Sequence, residues 1–272
     1  MYHRVKGCVC YIQRENEKAL HHFLKTYDIN SGILKADAQI SASIGSVYML
    51  LGNPHRAIQH LERTLTEAGI ERIQHLRARI LSCLTQCYRY TGEYTKAKKV
   101  GEEAHTHYKS ICDDLFTGKA LSQIGHVHRY SGDFEEALNY YNQALVYSKD
   151  AYFDYVGTLL RKAICLRKTK KNALAKEALD ECLAVANANK ISTMDIDVQY
   201  HLMTISNAES ADFIQKEAIP FFINYSGQGK FTALNICREL EAHYKAKGAT
   251  KKVLEVSAII RDIYETIIYS GS

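Results

Sequence analysis

Residues 119–145, KALSQIGHVHRYSGDFEEALNYYNQAL, decide the fold of this chain. In the first half Leu121, Ile124, Gly125 and His128 recur at helical spacing, and in the second half Phe134, Ala137, Leu138, Tyr141, Ala144 and Leu145 do the same. Ser131-Gly132-Asp133 stands between them: the glycine can take a positive φ and end one helix, and the aspartate can cap the next. Gly125, Ala137 and Ala144 are small where the two helices would cross, which lets the backbones approach closely. The stretch therefore predicts a helical hairpin. One hairpin cannot bury its own apolar face, so neighbours of the same kind are expected.

The spacing finds them. A small residue followed by another twelve positions later recurs as Gly7/Ala19, Gly45/Ala57, Thr85/Ala97, Gly125/Ala137 and Ala163/Ala175, and less cleanly as Glu241/Val253. The first members step by 38, 40, 40 and 38 residues, then by 78, which is two steps with one blurred unit between. That unit falls around His201 to Tyr225, where Pro220 interrupts the pattern. Gly52-Asn53-Pro54, Gly92-Glu93 and Gly248 take the place of Gly132 as turns. The hairpin of residues 119–145 resembles a tetratricopeptide (TPR) unit. The expected fold is all-α: a right-handed superhelical solenoid of about seven TPR hairpins. It forms one domain over 1–272, with units near 1–35, 36–74, 75–114, 115–152, 153–190, 191–228 and 229–272. The repeat exceeds the usual length of about 34 residues, so each helix should run about a turn longer. Residues 187–197 and 226–230 read as the loosest loops.

Composition agrees. A chain of 272 residues with 19 Tyr, 2 Pro and no Trp, and no alternating apolar runs, favours helices over sheets. A net charge of +5 permits an anionic ligand without demanding nucleic acid. No apolar run has membrane-spanning length and no signal-peptide core opens the chain, so no membrane partner is expected. Eight scattered cysteines without a disulfide framework suit a reducing cytoplasm.

The first helix of each hairpin lines the concave face of a TPR array. Its inward stripe holds Ser82, Gln86, Arg89 and Tyr90 in the third unit, Lys119, Ser122, His126, Arg129 and Tyr130 in the fourth, with Gln123 beside it, and Leu160, Ile164, Arg167 and Lys168 in the fifth. Arg89, Arg129 and Arg167 thus form a ladder at one repeat position. Guanidinium forks suit carboxylates and peptide carbonyls, and interleaved tyrosines add flat contact with a polar tip. This points to an extended, acidic peptide in the groove. The competing reading is that each arginine pairs with a carboxylate of the next helix and only holds repeats together.

Other groups carry less. Cys8 with Cys10, Cys83 with Cys87, and the pairs His105/His107 and His126/His128 do not assemble the four convergent ligands of a zinc site, so no metal or other cofactor is expected. No phosphate loop or nucleophile elbow is readable, and the chain is not expected to be an enzyme. Val256, Ile259, Ile260, Ile263 and Ile267 belong to an apolar stripe wider than one packing interface needs, which marks a candidate self-association surface or simply the packing of the last helix. At the other end no polar capping helix precedes the first repeat, so a preceding segment or a covering surface is expected.

Taken together, KALSQIGHVHRYSGDFEEALNYYNQALVYSKD, VKGCVCYIQRENEKALHHFLKTYDI and the closing AIPFFINYSGQGKFTALNICRELEAHYKAKGATKKVLEVSAIIRDIYE resemble the regulatory domain of the Rap/NprR/PlcR (RRNPP) quorum-sensing regulators, NprR most of all. The resemblance implies a concave face that senses a short signalling oligopeptide and controls a transcription or sporulation pathway by changing conformation or oligomer state. It further implies a homodimer or higher oligomer and a response-regulator partner. DNA would be bound only through a helix-turn-helix domain, which this chain lacks. The family often grips the peptide backbone with Asn on these helices; Gln123 and His126 stand there instead. The alternative is a generic TPR protein–protein scaffold.

Overall fold

A computed structural model describes residues 2–13, 15–29, 34–66, 73–203, 208–224 and 229–269. The described residues are helical and contain no strand. They divide into two compact units, Met1–Lys170 and Lys171–Ser272. The first unit holds α1 (Tyr2–Ile12), α2 (Asn16–Ile29), α3 (Leu34–Leu50), α4 (Pro54–Leu65), α5 (Gln74–Tyr90), α6 (Tyr94–Ser110), α7 (Asp114–Tyr130), α8 (Phe134–Tyr147) and α9 (Tyr152–Lys168). The second holds α10 (Asn172–Ala188), α11 (Met194–Met203), α12 (Ala208–Phe213), a π-helical turn (Ile214–Ala218), α13 (Ile219–Asn224), α14 (Gly229–Ala246) and α15 (Thr250–Tyr269).

In the first unit the helices pack in sequential pairs, and first helices also touch one another, α3 on α5, α5 on α7 and α7 on α9. The crossing points are the small residues of the repeat. Ala19, Ala57, Ala97, Ala137 and Ala144 have no accessible surface. A Cβ on Gly125 would lie 2.8 Å from the Tyr141 ring and 3.2 Å from the Ala137 carbonyl oxygen. Around these contacts run continuous apolar layers: Cys10, Phe23, Ile40 and Ile44 between α1, α2 and α3, and Leu61, Leu76, Ile80 and Leu84 between α4 and α5.

The turns repeat as closely as the crossings. Gly52, Gly92 and Gly132 have φ of 73°, 79° and 85°. In each, the amide three residues past the helix donates to the carbonyl five back: Asn53 to Tyr48, Glu93 to Tyr88 and Asp133 to His128, at 2.8–2.9 Å. This closes orphan carbonyls of the helix end. After α9, Lys170 takes the corresponding left-handed position, at φ 62°. A side chain there strains the backbone by about 1 kcal/mol or more. Lys170→Gly should therefore stabilise the chain by about 0.5–1 kcal/mol after the extra freedom of the unfolded glycine is subtracted. Urea denaturation checks this, and an unchanged or lower midpoint contradicts it.

Asp133 departs from expectation. Its side chain makes no cap on α8; it accepts instead from His128 Nδ1 at 3.0 Å, and that contact holds its carboxyl below the usual range. The side-chain cap is found one helix earlier, where Asp113 accepts from the Phe116 amide at 3.1 Å.

The second unit is built on Val198, Leu202, Ile214, Ile219, Phe222, Leu234, Leu240, Val256 and Ile263. Pro220 does not break the helix as its sequence position suggests. It has no amide hydrogen, and the chain absorbs the missing bond by widening one turn: Ile219 N donates to Ile214 O, five residues back. The loop expected at 187–197 is smaller than read, since α10 runs to Ala188 and α11 starts at Met194. Of 226–230, residues 226–228 lie outside the described residues, and Gly229 and Lys230 open α14.

Candidate functional site

The residues of the predicted stripe come from α5, α7 and α9, helices that touch in succession; Arg89 meets Tyr130 across the α5–α7 contact. Arg89 is 8% exposed, and its guanidinium is held by aromatic rings, 4.2 Å from the Tyr90 centroid and 4.8 Å from the Tyr130 centroid. Arg129 covers the same Tyr130 ring at 4.4 Å. Tyr130 thus stands between the arginines of successive repeats, its quadrupole attracting both cations. Tyr90 and Tyr130 keep 39% and 42% of their surface open, so each ring offers contact area to a ligand.

His126 sits under this pair. Arg129 Nη2 donates to His126 Nε2 at 2.7 Å, and the His126 ring meets Tyr130 edge-on at 5.1 Å. Guanidinium can only donate, so Nε2 accepts and the imidazole proton lies on Nδ1. Burial, then the charges of Arg161, Arg129 and Arg89, hold His126 well below its ordinary pKa. It is neutral at neutral pH.

Further along the face Lys119 pairs with Asp154 at 3.3 Å, and Ser122 lies 3.1 Å from the Thr158 hydroxyl. Gln86 and Gln123 are partly buried on α5 and α7. On α9, Leu160, Ile164 and Arg167 are partly buried and Lys168 is exposed.

The third guanidinium acting on His126 belongs to Arg161, which the sequence spacing missed; the ladder had placed Arg167 there. Aligning repeats by Gly125 and Ala163 gives equivalent positions, yet adjacent first helices touch with an offset. Ser122 meets Thr158, thirty-six residues on, and the α9 charge felt by His126 is that of Arg161, an earlier turn of the helix than Arg167. The competing ion-pair reading does not describe the two arginines that fell in the ladder and face each other: among the described residues neither Arg89 nor Arg129 pairs with a carboxylate, and the buried Nε of Arg129 has no hydrogen-bond partner.

All eight cysteines are free. Burial raises the thiol pKa of Cys83 and Cys87, and those of Cys165 and Cys237 to about 11 and about 12, so thiolate ligands are disfavoured. No cluster of three metal-ligating side chains occurs among the described residues. On α15 Val256 and Ile263 are core residues of the second unit, which removes them from any self-association surface. Ile259 and Ile260 are partly buried against the same core, Leu254 is exposed, and the side chain of Ile267 lies outside the described residues.

The neutral histidines give the fold an acid limit. His60, beside Ser41 and the Tyr27 ring, is pushed down to about 4 by burial and Arg63. Both His60 and His126 are neutral when folded and protonate near 6.5 when unfolded, so the unfolded chain binds more protons as the pH falls. Stability is fully present above about pH 6.5 and declines below it, the His60 share being lost by about pH 4. The thermal midpoint should drop between about pH 7.5 and about pH 5, and less so in His60→Gln and His126→Gln chains. Equal pH slopes in all three contradict the assignment.

Stacked hairpins with small crossing residues give the first unit a TPR-like helical fold. A tetratricopeptide repeat family model matches residues 76–146, the stretch that holds α5 to α8. In sequence the chain is homologous to the regulatory protein RapG of Bacillus subtilis (strain 168), 21% identical over 234 residues, covering 82% of this chain and 64% of RapG. It spans less than two thirds of that relative. Among solved structures it is similar to a Rap protein complexed with competence and sporulation factor, with a TM-score of 0.80 at 13% identity over 99% of this chain and 76% of the other. It is also similar to the quorum sensor NprR: the apo form from B. thuringiensis has a TM-score of 0.75 at 20% identity over 97% of this chain and 75% of the other. NprR bound to its cognate peptide NprX gives 0.69 at 19% identity, with the same coverage.

Proposed function

We propose that this chain is the sensor part of a regulator and binds a short signalling oligopeptide across the first helices α5, α7 and α9. The observation that carries the reading is the row of Arg89, Tyr90, His126, Arg129 and Tyr130, whose guanidinium groups meet rings and an imidazole instead of carboxylates. Such a row offers donors for peptide carbonyls and carboxylates beside flat apolar contact. NprR, which binds its cognate peptide, and RapG, a regulatory protein, support the same reading.

The chain acts by binding rather than by catalysis, in the cytoplasm, where a secreted and re-imported peptide would reach it. No described helix is long and apolar enough to cross a membrane. Peptide binding changes conformation or oligomer state, with Ile259 and Ile260 of α15 as the self-association contacts, and the output passes to a response regulator or to a DNA-binding partner domain. Titration with short synthetic oligopeptides, followed by anisotropy and by light scattering, tests this. Saturable binding with a change in scattering mass or shape supports the reading. Binding only of folded proteins, with no oligopeptide captured, would favour a generic TPR scaffold.

A further inference from the structure

We infer that Arg89, Arg129 and Arg161 form a three-helix pocket for one carboxylate of the ligand, an inference that rests on the peptide-binding reading. Each arginine comes from a different first helix: α5, α7 and α9. Their charges are mutually felt, since Arg161 is destabilised by burial and by the charges of Arg129 and Arg89, against the opposing influence of Tyr141 and Asp154. Asp154, the carboxylate acting on Arg161, is already paired with Lys119 at 3.3 Å. Among the described residues none of the three is in an ion pair. Like charges gathered without a counter-charge are costly in a partly desolvated place. One anion relieves all three at once.

The geometry also prepares the forks. Arg161 folds back along its helix over Gly157: a Cβ at that position would stand 3.0 Å from Arg161 Nη1. A side chain at 157 would make the guanidinium give by a few tenths of an ångström. Arg129 keeps a buried Nε without a hydrogen-bond partner, while its Nη2 is fixed by His126. The Arg89 guanidinium lies over the Tyr90 and Tyr130 rings. Three planar donors, each braced by a different neighbour, suit a planar acceptor with two oxygens. His126 contributes as a neutral base that adds no fourth positive charge. The carboxylate can be an acidic side chain or the peptide C-terminus.

The test screens an arrayed set of short synthetic oligopeptides against the whole chain by fluorescence anisotropy. Each binder is then remade with its carboxylates neutralised singly, the side chains as Asn or Gln and the C-terminus as an amide. Neutralising one carboxylate should weaken binding roughly 10- to 100-fold, and which one it is identifies its source. Arg161→Gln should cause the same loss for the acidic peptide and leave the affinity of its neutralised form unchanged. Gly157→Ala, which moves the fork without removing its charge, should lose part of that affinity. Arg161→Lys, which keeps the charge and lacks the fork, serves the same purpose if the Gln variant does not fold. Thermal midpoints of all three establish that they are folded. Binders indifferent to every neutralisation overturn the pocket and leave the peptide reading standing. A set with no binder overturns both.

Discussion

Gly125→Val should lower the thermal midpoint by roughly 6–12 °C, the largest stability effect expected from one substitution in the first unit. The reason is local and steric. The first added carbon would already lie 2.8 Å from the Tyr141 ring and 3.2 Å from the Ala137 carbonyl oxygen. Tyr141 is fully buried and Ala137 is backbone at the helix crossing, so neither can retreat cheaply. Valine adds two further methyl groups. Overpacking of this kind costs about 3 kcal/mol, and a domain of this size loses about 2–4 °C per kcal/mol. Gly132→Ala, at φ 85° with open space around it, should cost only about 1–2 kcal/mol because strain alone opposes it. Calorimetry of both variants separates a crossing glycine from a turn glycine. If Gly125→Val costs less than Gly132→Ala, the close approach of α7 and α8 is misassigned.

The second large effect concerns the ligand. Arg129→Ala should weaken oligopeptide binding by roughly 30- to 100-fold without unfolding the chain. Three things go with the side chain: a charge-assisted donor, the cover on the Tyr130 ring, and the partner that fixes the His126 tautomer. Arg56→Ala, exposed on α4, should leave affinity unchanged. Anisotropy titration of both against one labelled peptide gives the comparison. Equal effects of the two would mean that the peptide feels only net charge.

Much of this architecture is legible in the sequence because it rests on residues whose absence of side chain is the message. Gly45, Gly125 and their alanine partners announce helix crossings, and Gly52, Gly92 and Gly132 announce turns. Their period follows from the chain itself. What stays hidden depends on how helices slide against one another. Arg161 occupies no notable repeat position, and its charge acts on His126 from a turn of α9 that aligning the repeats does not single out. Lys170 hides a left-handed position that Gly52, Gly92 and Gly132 mark after earlier helices, because a residue with a side chain can be held there at a cost in strain. Pro220 reads as a break, and the π-helical turn before it is a solution that no periodicity predicts. On α15 the width of the apolar stripe is visible, but its division between the core contacts of Val256 and Ile263 and the open side chain of Leu254 is set by packing.

Photo-crosslinking tests the ligand face most directly. A short oligopeptide that binds in solution is made with a benzophenone side chain, irradiated with the chain, and the adducts are mapped by mass spectrometry. Adducts on Tyr90, His126, Tyr130 and their neighbours on α5, α7 and α9 are the predicted result. Adducts confined to the second helices α4, α6 and α8 would contradict a peptide site on the first helices.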